Sequence, residues 1–198
     1  MANSYTVLWT NDLCRELIRG GFTGQLPTVL FGGPHQSRPS FRQAGVGPGD
    51  QIFAVRAWQT ALYPVCSMEV HRIVDYDRAG TELADEDYVG LIHWRPLKSG
   101  GITEVVLGPP GSPLRFDQPL PGEHLERLTF TSRRGERQLK YVEDGRLLRS
   151  VSLEGIYCLA PDSADILTTN RCRHPSCSRH IGTGASSVSL PVRPHGVS

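Results

Sequence analysis

The chain predicts a small, mainly β (α+β) domain built around a closed barrel with a few short helices. Three observations lead there. Twenty-one glycines and fifteen prolines in 198 residues punctuate the sequence too often for long helices. The apolar segments between these breaks are short and rich in β-branched and aromatic residues. Only two brief stretches carry a helical pattern. The length suits one domain that buries a core without disulfide or metal staples. Residues 1–170 are expected to form the barrel, and 171–198 a flexible C-terminal tail.

Taken in order, Tyr5-Thr6-Val7-Leu8-Trp9 reads as an opening strand. Asn11 or Asp12 can cap a helix whose apolar face is Leu13, Cys14, Leu17 and Ile18, and Gly20-Gly21 stops it. Thr28–Phe31 is a short strand broken by Gly32-Gly33-Pro34. The tight turn Val46-Gly47-Pro48-Gly49-Asp50 feeds the strand Gln51–Trp58, and Val65–Val74 is expected as its antiparallel neighbour. The polar segment from Asp75 to Asp87 reads as a solvated loop. Gly90–Trp94 and Thr103–Leu107 form an expected strand pair. Leu125–Thr131, Gln138–Val142 and Leu147–Leu153 read as a meander, with Glu143-Asp144-Gly145-Arg146 as a hairpin turn. A last strand at Gly155–Leu159 and a helical turn at Asp162–Leu167 complete the domain.

Composition bounds the partners. A net charge of +1 excludes strong global attraction to nucleic acid, so any such binding needs a local basic patch. No stretch approaches the roughly 18 apolar residues of a membrane span. The first residues lack the basic and apolar regions of a secretory signal. Cys14, Cys66 and Cys158 lie singly in apolar contexts, as buried thiols of a reducing compartment do. These features together suggest a cytoplasmic protein.

The Gly-Asp turn at 46–50, its apolar strand, and Cys66-Ser67-Met68-Glu69-Val70-His71-Arg72-Ile73 together resemble the PUA-like superfamily, which includes PUA, ASCH, EVE and YTH domains. Gln36-Ser37-Arg38-Pro39-Ser40-Phe41-Arg42 is similar to the segment preceding that turn in EVE domains. The resemblance implies a pseudo-barrel with helices at its ends and a pocket beside the Gly-Asp strand. In YTH and EVE relatives such a pocket takes a modified or flipped base between aromatic walls. The Gly-x-Lys-x-x-Glu-x-Arg-like element of many ASCH domains is missing, which weighs against an ASCH-type nuclease or amidohydrolase.

The candidate binding residues follow from the chemistry of a base. Its π-face stacks on an indole, its edge needs hydrogen-bonding groups, and its phosphate suits a guanidinium fork. Trp58 ends the Gly-Asp strand before the polar Gln59-Thr60 and is the first stacking candidate, with Trp9 or Trp94 as a second wall. Arg38 and Arg42 are the phosphate candidates, and Thr10, Asn11, Ser40 and Gln59 the edge-readers. Arg56, inside an apolar strand, is expected to face solvent or a partner. Arg133-Arg134-Gly135-Glu136-Arg137 reads as a basic hairpin tip.

Cys172, His174, Cys177 and His180 are adequate zinc ligands by type, but four ligands within nine residues leave little fold to stabilise. No metal or cofactor is therefore expected, and no catalytic residue is assigned. The chain has no nucleophile elbow, metalloprotease helix or Walker loop. The leading reading is a binding module for DNA or RNA without membrane association. The alternatives are an ASCH-like RNA-processing or amide-hydrolysing enzyme using Glu69, His71, Lys98 or Lys140, and a barrel binding small molecules or protein.

Overall fold

In the computed structural model the described residues are 2–35, 38–82 and 101–172. Eleven strands run along them: β1 (Ser4–Leu8), β2 (Val29–Gly32), β3 (Gln51–Trp58), β4 (Ala61–Glu69), β5 (Arg72–Asp75), β6 (Glu104–Leu107), β7 (Thr129–Ser132), β8 (Gly135–Gln138), β9 (Val142–Glu143), β10 (Arg146–Leu147) and β11 (Ile156–Cys158). The helices are α1 (Asn11–Arg19), α2 (Tyr76–Glu82), α3 (Gly122–Glu126) and α4 (Pro161–Cys172), with a single 3-10 turn at Val151–Leu153. The protein is thus mainly strands with short helices, a small α+β fold.

The strands do not close into a single barrel, contrary to the sequence expectation. Four of them form a sheet in the order β11-β1-β3-β4, three form a second in the order β2-β6-β5, and β7–β8 and β9–β10 are separate hairpins. The division falls inside the expected strand 65–74. Gly49 N–H donates to Val70 O at 2.7 Å, Val70 N–H donates to Asp50 O at 2.8 Å, and His71 N–H turns to Leu107 O at 2.8 Å. The chain leaves the first sheet at Glu69 and enters the second at Arg72, so 65–69 pairs with β3 while 72–75 pairs with β6. Thr103–Leu107 accordingly pairs with β2 and β5, and the expected partner Gly90–Trp94 lies outside the described residues.

The Gly-Asp turn is locked by Asp50, which is only 7% exposed. Its Oδ2 accepts from Gly47 N–H at 2.9 Å and its Oδ1 from Asn3 N–H at 2.8 Å. Gly49 takes a φ of 85°, a conformation open to residues without Cβ. The turn thus sets both the start of β3 and the register of β1, which lies parallel to it from Ser4↔Gln51 to Leu8↔Val55.

Alternation along β3 divides the core. Ile52 and Ala54 pack with Cys14 and Leu17 of α1 on one face, and Phe53 and Val55 with Leu125 of α3 and Leu167 of α4 on the other. In β4 the alternation slips because a bulge sits opposite Ala54/Val55, beside Pro64. β4 is the edge strand of its sheet, where a proline without a ladder N–H is tolerated at a bulge, and Val65 and Cys66 both reach the same core.

Other local readings need correction. Leu125 lies on α3, not a strand, and after the short hairpin 142–147 the chain runs into the 3-10 turn. Tyr76–Glu82 is helical where a loop was expected, and α4 runs on to Cys172. The acidic run 85–87 and the Cys/His segment from residue 173 onward lie outside the described residues.

Candidate functional site

The end of β1 is the pivot of the site. Leu8-Trp9-Thr10-Asn11 passes from strand to helix, and three depressions adjoin it. Thr10, rather than Asn11 or Asp12, is the N-cap of α1, its Oγ1 accepting from Leu13 N–H at 3.2 Å. Asn11 is thereby freed to turn its side chain toward β3. Its Oδ1 accepts from Arg56 Nε at 2.8 Å and its Nδ2 donates to Ala57 O at 3.2 Å. Thr10 and Asn11, two of the four side chains expected to read a base edge, therefore have structural partners.

Arg56, expected to face solvent or a partner, is buried at 5% exposure and does not face solvent. Asn11 holds its Nε–H, and its guanidinium lies over the Trp58 ring at 4.7 Å from the centroid. The two residues are two apart on one strand and so point the same way. This arrangement answers the cost of burying the charge with a hydrogen bond and a π-face. Trp58 itself is 42% exposed, with Tyr63 tilted against it at 6.0 Å between centroids. Around them lies a broad depression of about 750 Å³ that includes Arg15, Ile18, Phe116 and Asp117. Arg15 falls four residues after Asn11 on the same helical face and pairs with exposed Asp12. Sequence reasoning missed Arg15; the signal available was its helical spacing from Asn11.

Gln59 forms the tip of the β3–β4 hairpin with Thr60, at φ values of 48° and 59°. A two-residue hairpin turn with both φ positive matches the twist of its strands, but glycine or asparagine usually supplies it. A β-branched residue there is a true outlier. The turn is held from outside by Leu147 N–H, which donates to Thr60 O at 2.7 Å.

The remaining candidates divide. Trp9 and Arg38 line a narrow apolar slot of about 70 Å³, to which different residues of α1 contribute. Burial there pulls the Arg38 pKa below its ordinary value. Arg42 is exposed, pairs with Asp75 and donates from Nη2 to Ile73 O at 2.8 Å. The hydrogen bond from Arg42 Nη1 to Asp75 is the main reason the Asp75 carboxyl lies below its ordinary range. Ser40 Oγ donates to the buried carboxylate of Glu104 at 3.2 Å, and Phe41 N–H donates to the same carboxylate. Trp94 and Lys98 lie outside the described residues. Glu69 and His71 are exposed where the chain changes sheets, and Lys140 is exposed beyond β8. Among the described residues no His/Cys/Asp/Glu cluster suits a metal ion, and no helix is long and apolar enough to cross a membrane.

No protein-family model matches the chain, and no curated protein matches it. Among solved structures it is similar to the crystal structure of ASCH from Zymomonas mobilis. That likeness has 12% sequence identity and a TM-score of 0.37, and covers 84% of this chain and 94% of that one. A mutant of the same Zymomonas mobilis protein gives the same identity and TM-score over 84% and 97% of the two chains.

Proposed function

We propose that this chain is a nucleic-acid-binding module that stacks an unpaired or modified base of DNA or RNA on Trp58. The observation that carries the reading is the pairing of an exposed indole with a buried guanidinium. Trp58 is open to solvent while Arg56, fixed by Asn11, braces its ring. An aromatic platform held rigid before binding loses little entropy on taking a base. The resemblance of 46–74 to PUA-like domains supports the same reading.

Arg15 and Arg42 are the phosphate contacts best placed on exposed surface. Each is paired with an exposed carboxylate, Asp12 or Asp75. Surface pairs of this kind are worth only about 0–1 kcal/mol, so exchange for a phosphate costs little. Arg38 belongs to the narrow slot, and Trp94 remains a candidate second wall. A net charge of +1 implies few phosphate contacts and hence a shallow salt dependence.

The test is a set of binding curves for single-stranded DNA and RNA at several salt concentrations, with thermal melts alongside. Trp58→Ala is expected to weaken binding by about 1–3 kcal/mol with an unchanged fold. Arg15→Ala and Arg42→Ala are expected to weaken all sequences alike, each lowering the salt slope by about one. Salt-dependent binding to neither nucleic acid would sink the reading. So would a Trp58→Ala protein that melts much earlier yet binds as well as its parent.

A further inference from the structure

The Trp58 depression holds more than a stacking surface, because part of its lining comes from two segments outside β3 and α1. One of them follows the end of α1. Gly21 at φ 75° closes a Schellman motif there, with Gly21 N–H donating to Ile18 O at 3.1 Å and Phe22 N–H to Leu17 O at 3.0 Å. The next residues are tied to the second segment, 114–120, by Gly24 N–H to Leu114 O at 2.8 Å and Leu114 N–H to Gln25 O at 2.9 Å. That segment is itself fixed along β4 by Arg115 N–H to Val65 O at 2.9 Å and Leu120 N–H to Leu62 O at 2.7 Å. Phe116 anchors it in the core at 6% exposure. Thr23 and Asp117 are thereby brought to the depression on backbone that is set before any ligand arrives.

The lining sorts by chemistry. Trp58 and Ile18 are large apolar side chains, each 42% exposed. Arg56 and Asn11 are engaged with each other, and Arg15 pairs with Asp12. Thr23 and Asp117 are exposed, and among the described residues neither side chain has a partner. An apolar surface flanked by a hydroxyl and a carboxylate suits a flat ring whose edge carries hydrogen-bond donors. Of the unmodified bases, guanine sets two donors side by side, N1–H and N2–H, next to the acceptor O6. The two oxygens of a carboxylate take that pair together, and a hydroxyl donates to O6. Adenine and cytosine place an acceptor nitrogen beside their amino group, which turns a lone pair toward the carboxylate. Uracil and thymine have a single donor between two carbonyl oxygens.

We infer that the base received on Trp58 is guanine, with Asp117 accepting from N1–H and N2–H and Thr23 donating to O6. The inference rests on the base-stacking reading and narrows it to one base. A depression of about 750 Å³ has room for the whole nucleotide, with Arg15 at its phosphate.

The experiment titrates the full chain, by calorimetry at one low salt concentration, with uridine heptamers carrying a central guanosine, inosine, adenosine or cytidine. Guanosine is expected to bind tightest. Inosine lacks only the N2 amino group and is expected to bind about tenfold more weakly, the difference a charge-assisted hydrogen bond makes. Adenosine and cytidine are expected to be weaker than inosine. Asp117→Asn is expected to erase the difference between guanosine and inosine at an unchanged melting temperature, because the side chain is exposed. Thr23→Val is expected to weaken guanosine and inosine alike, since both carry O6. The comparison of guanosine with inosine uses the wild-type chain alone and needs no variant. Heptamers that all bind equally, and are all weakened by Trp58→Ala, overturn the inference and leave base stacking standing. A preference for adenosine or cytidine overturns it too, as does an Asp117→Asn protein that still separates guanosine from inosine. Binding of no heptamer is a different result, which removes the base-stacking reading and this inference with it.

Discussion

Asp50 and Glu104 are carboxylates sunk into the protein at 7% and 3% exposure, and backbone N–H groups receive each of them. Removing Asp50 leaves the N–H groups of Asn3 and Gly47 without their acceptor. Asp50→Ala is therefore expected to destabilise the protein by about 2–3 kcal/mol in urea unfolding. Glu104 owes its position to Gly32, because a Cβ there would lie 2.4 Å from the carboxylate and 2.8 Å from the Phe41 ring. Gly32→Ala is expected to cost about 1–3 kcal/mol through overpacking. Cys14 gives a pH dependence instead. Burial pushes its thiol from an ordinary 9.0 up to about 12, with Arg56 opposing. Above pH 9 the unfolded chain loses this proton while the folded chain keeps it, so stability falls as pH rises toward 12. Tyr5 and Cys158 shift the same way, also chiefly through burial. Denaturant melts from pH 8 to 11 are expected to show a shallower alkaline decline in Cys14→Ala than in the parent.

The element scale shows what the sequence discloses and what it hides. Asp144-Gly145 advertises its hairpin, and the structure places the pair at φ 48° and 70° between β9 and β10. Gln59-Thr60 makes the same kind of turn with no such signal, because its conformation is imposed by the long β3–β4 ladder and by Leu147. Gln59→Asn with Thr60→Gly is accordingly expected to raise stability by about 1 kcal/mol or more, relieving strain of that order. A thermal melt that falls instead would mean that the native side chains compensate for their own backbone. The strands 51–58 and 156–158 were legible from apolar, β-branched runs and flanking turns. The change of sheet after Glu69 was not, since 65–74 is apolar enough throughout to read as one strand, and only Asp50 and Leu107, distant in sequence, divide it.

At the scale of the molecule, the candidate residues were legible by type but not by grouping. Trp58 and Asn11 come together at one depression and Trp9 and Arg38 at another, with different residues of α1 lining each. No local pattern reports that separation, because the helix is placed by the packing of Cys14 and Leu17 against β3 and β4. The sheet order raises a further point. β1, made first, lies between β3 and β11, pairing in parallel with one and antiparallel with the other, with Tyr5 opposite both Ile52 and Cys158. Few of these contacts are local, so loop closure must be met before pairing is rewarded, and topologies of this kind fold slowly. During synthesis the first strand waits with an open edge until nearly the whole described chain has left the ribosome. A nascent chain halted before Ile156 therefore carries an exposed β1 edge on which another chain can pair.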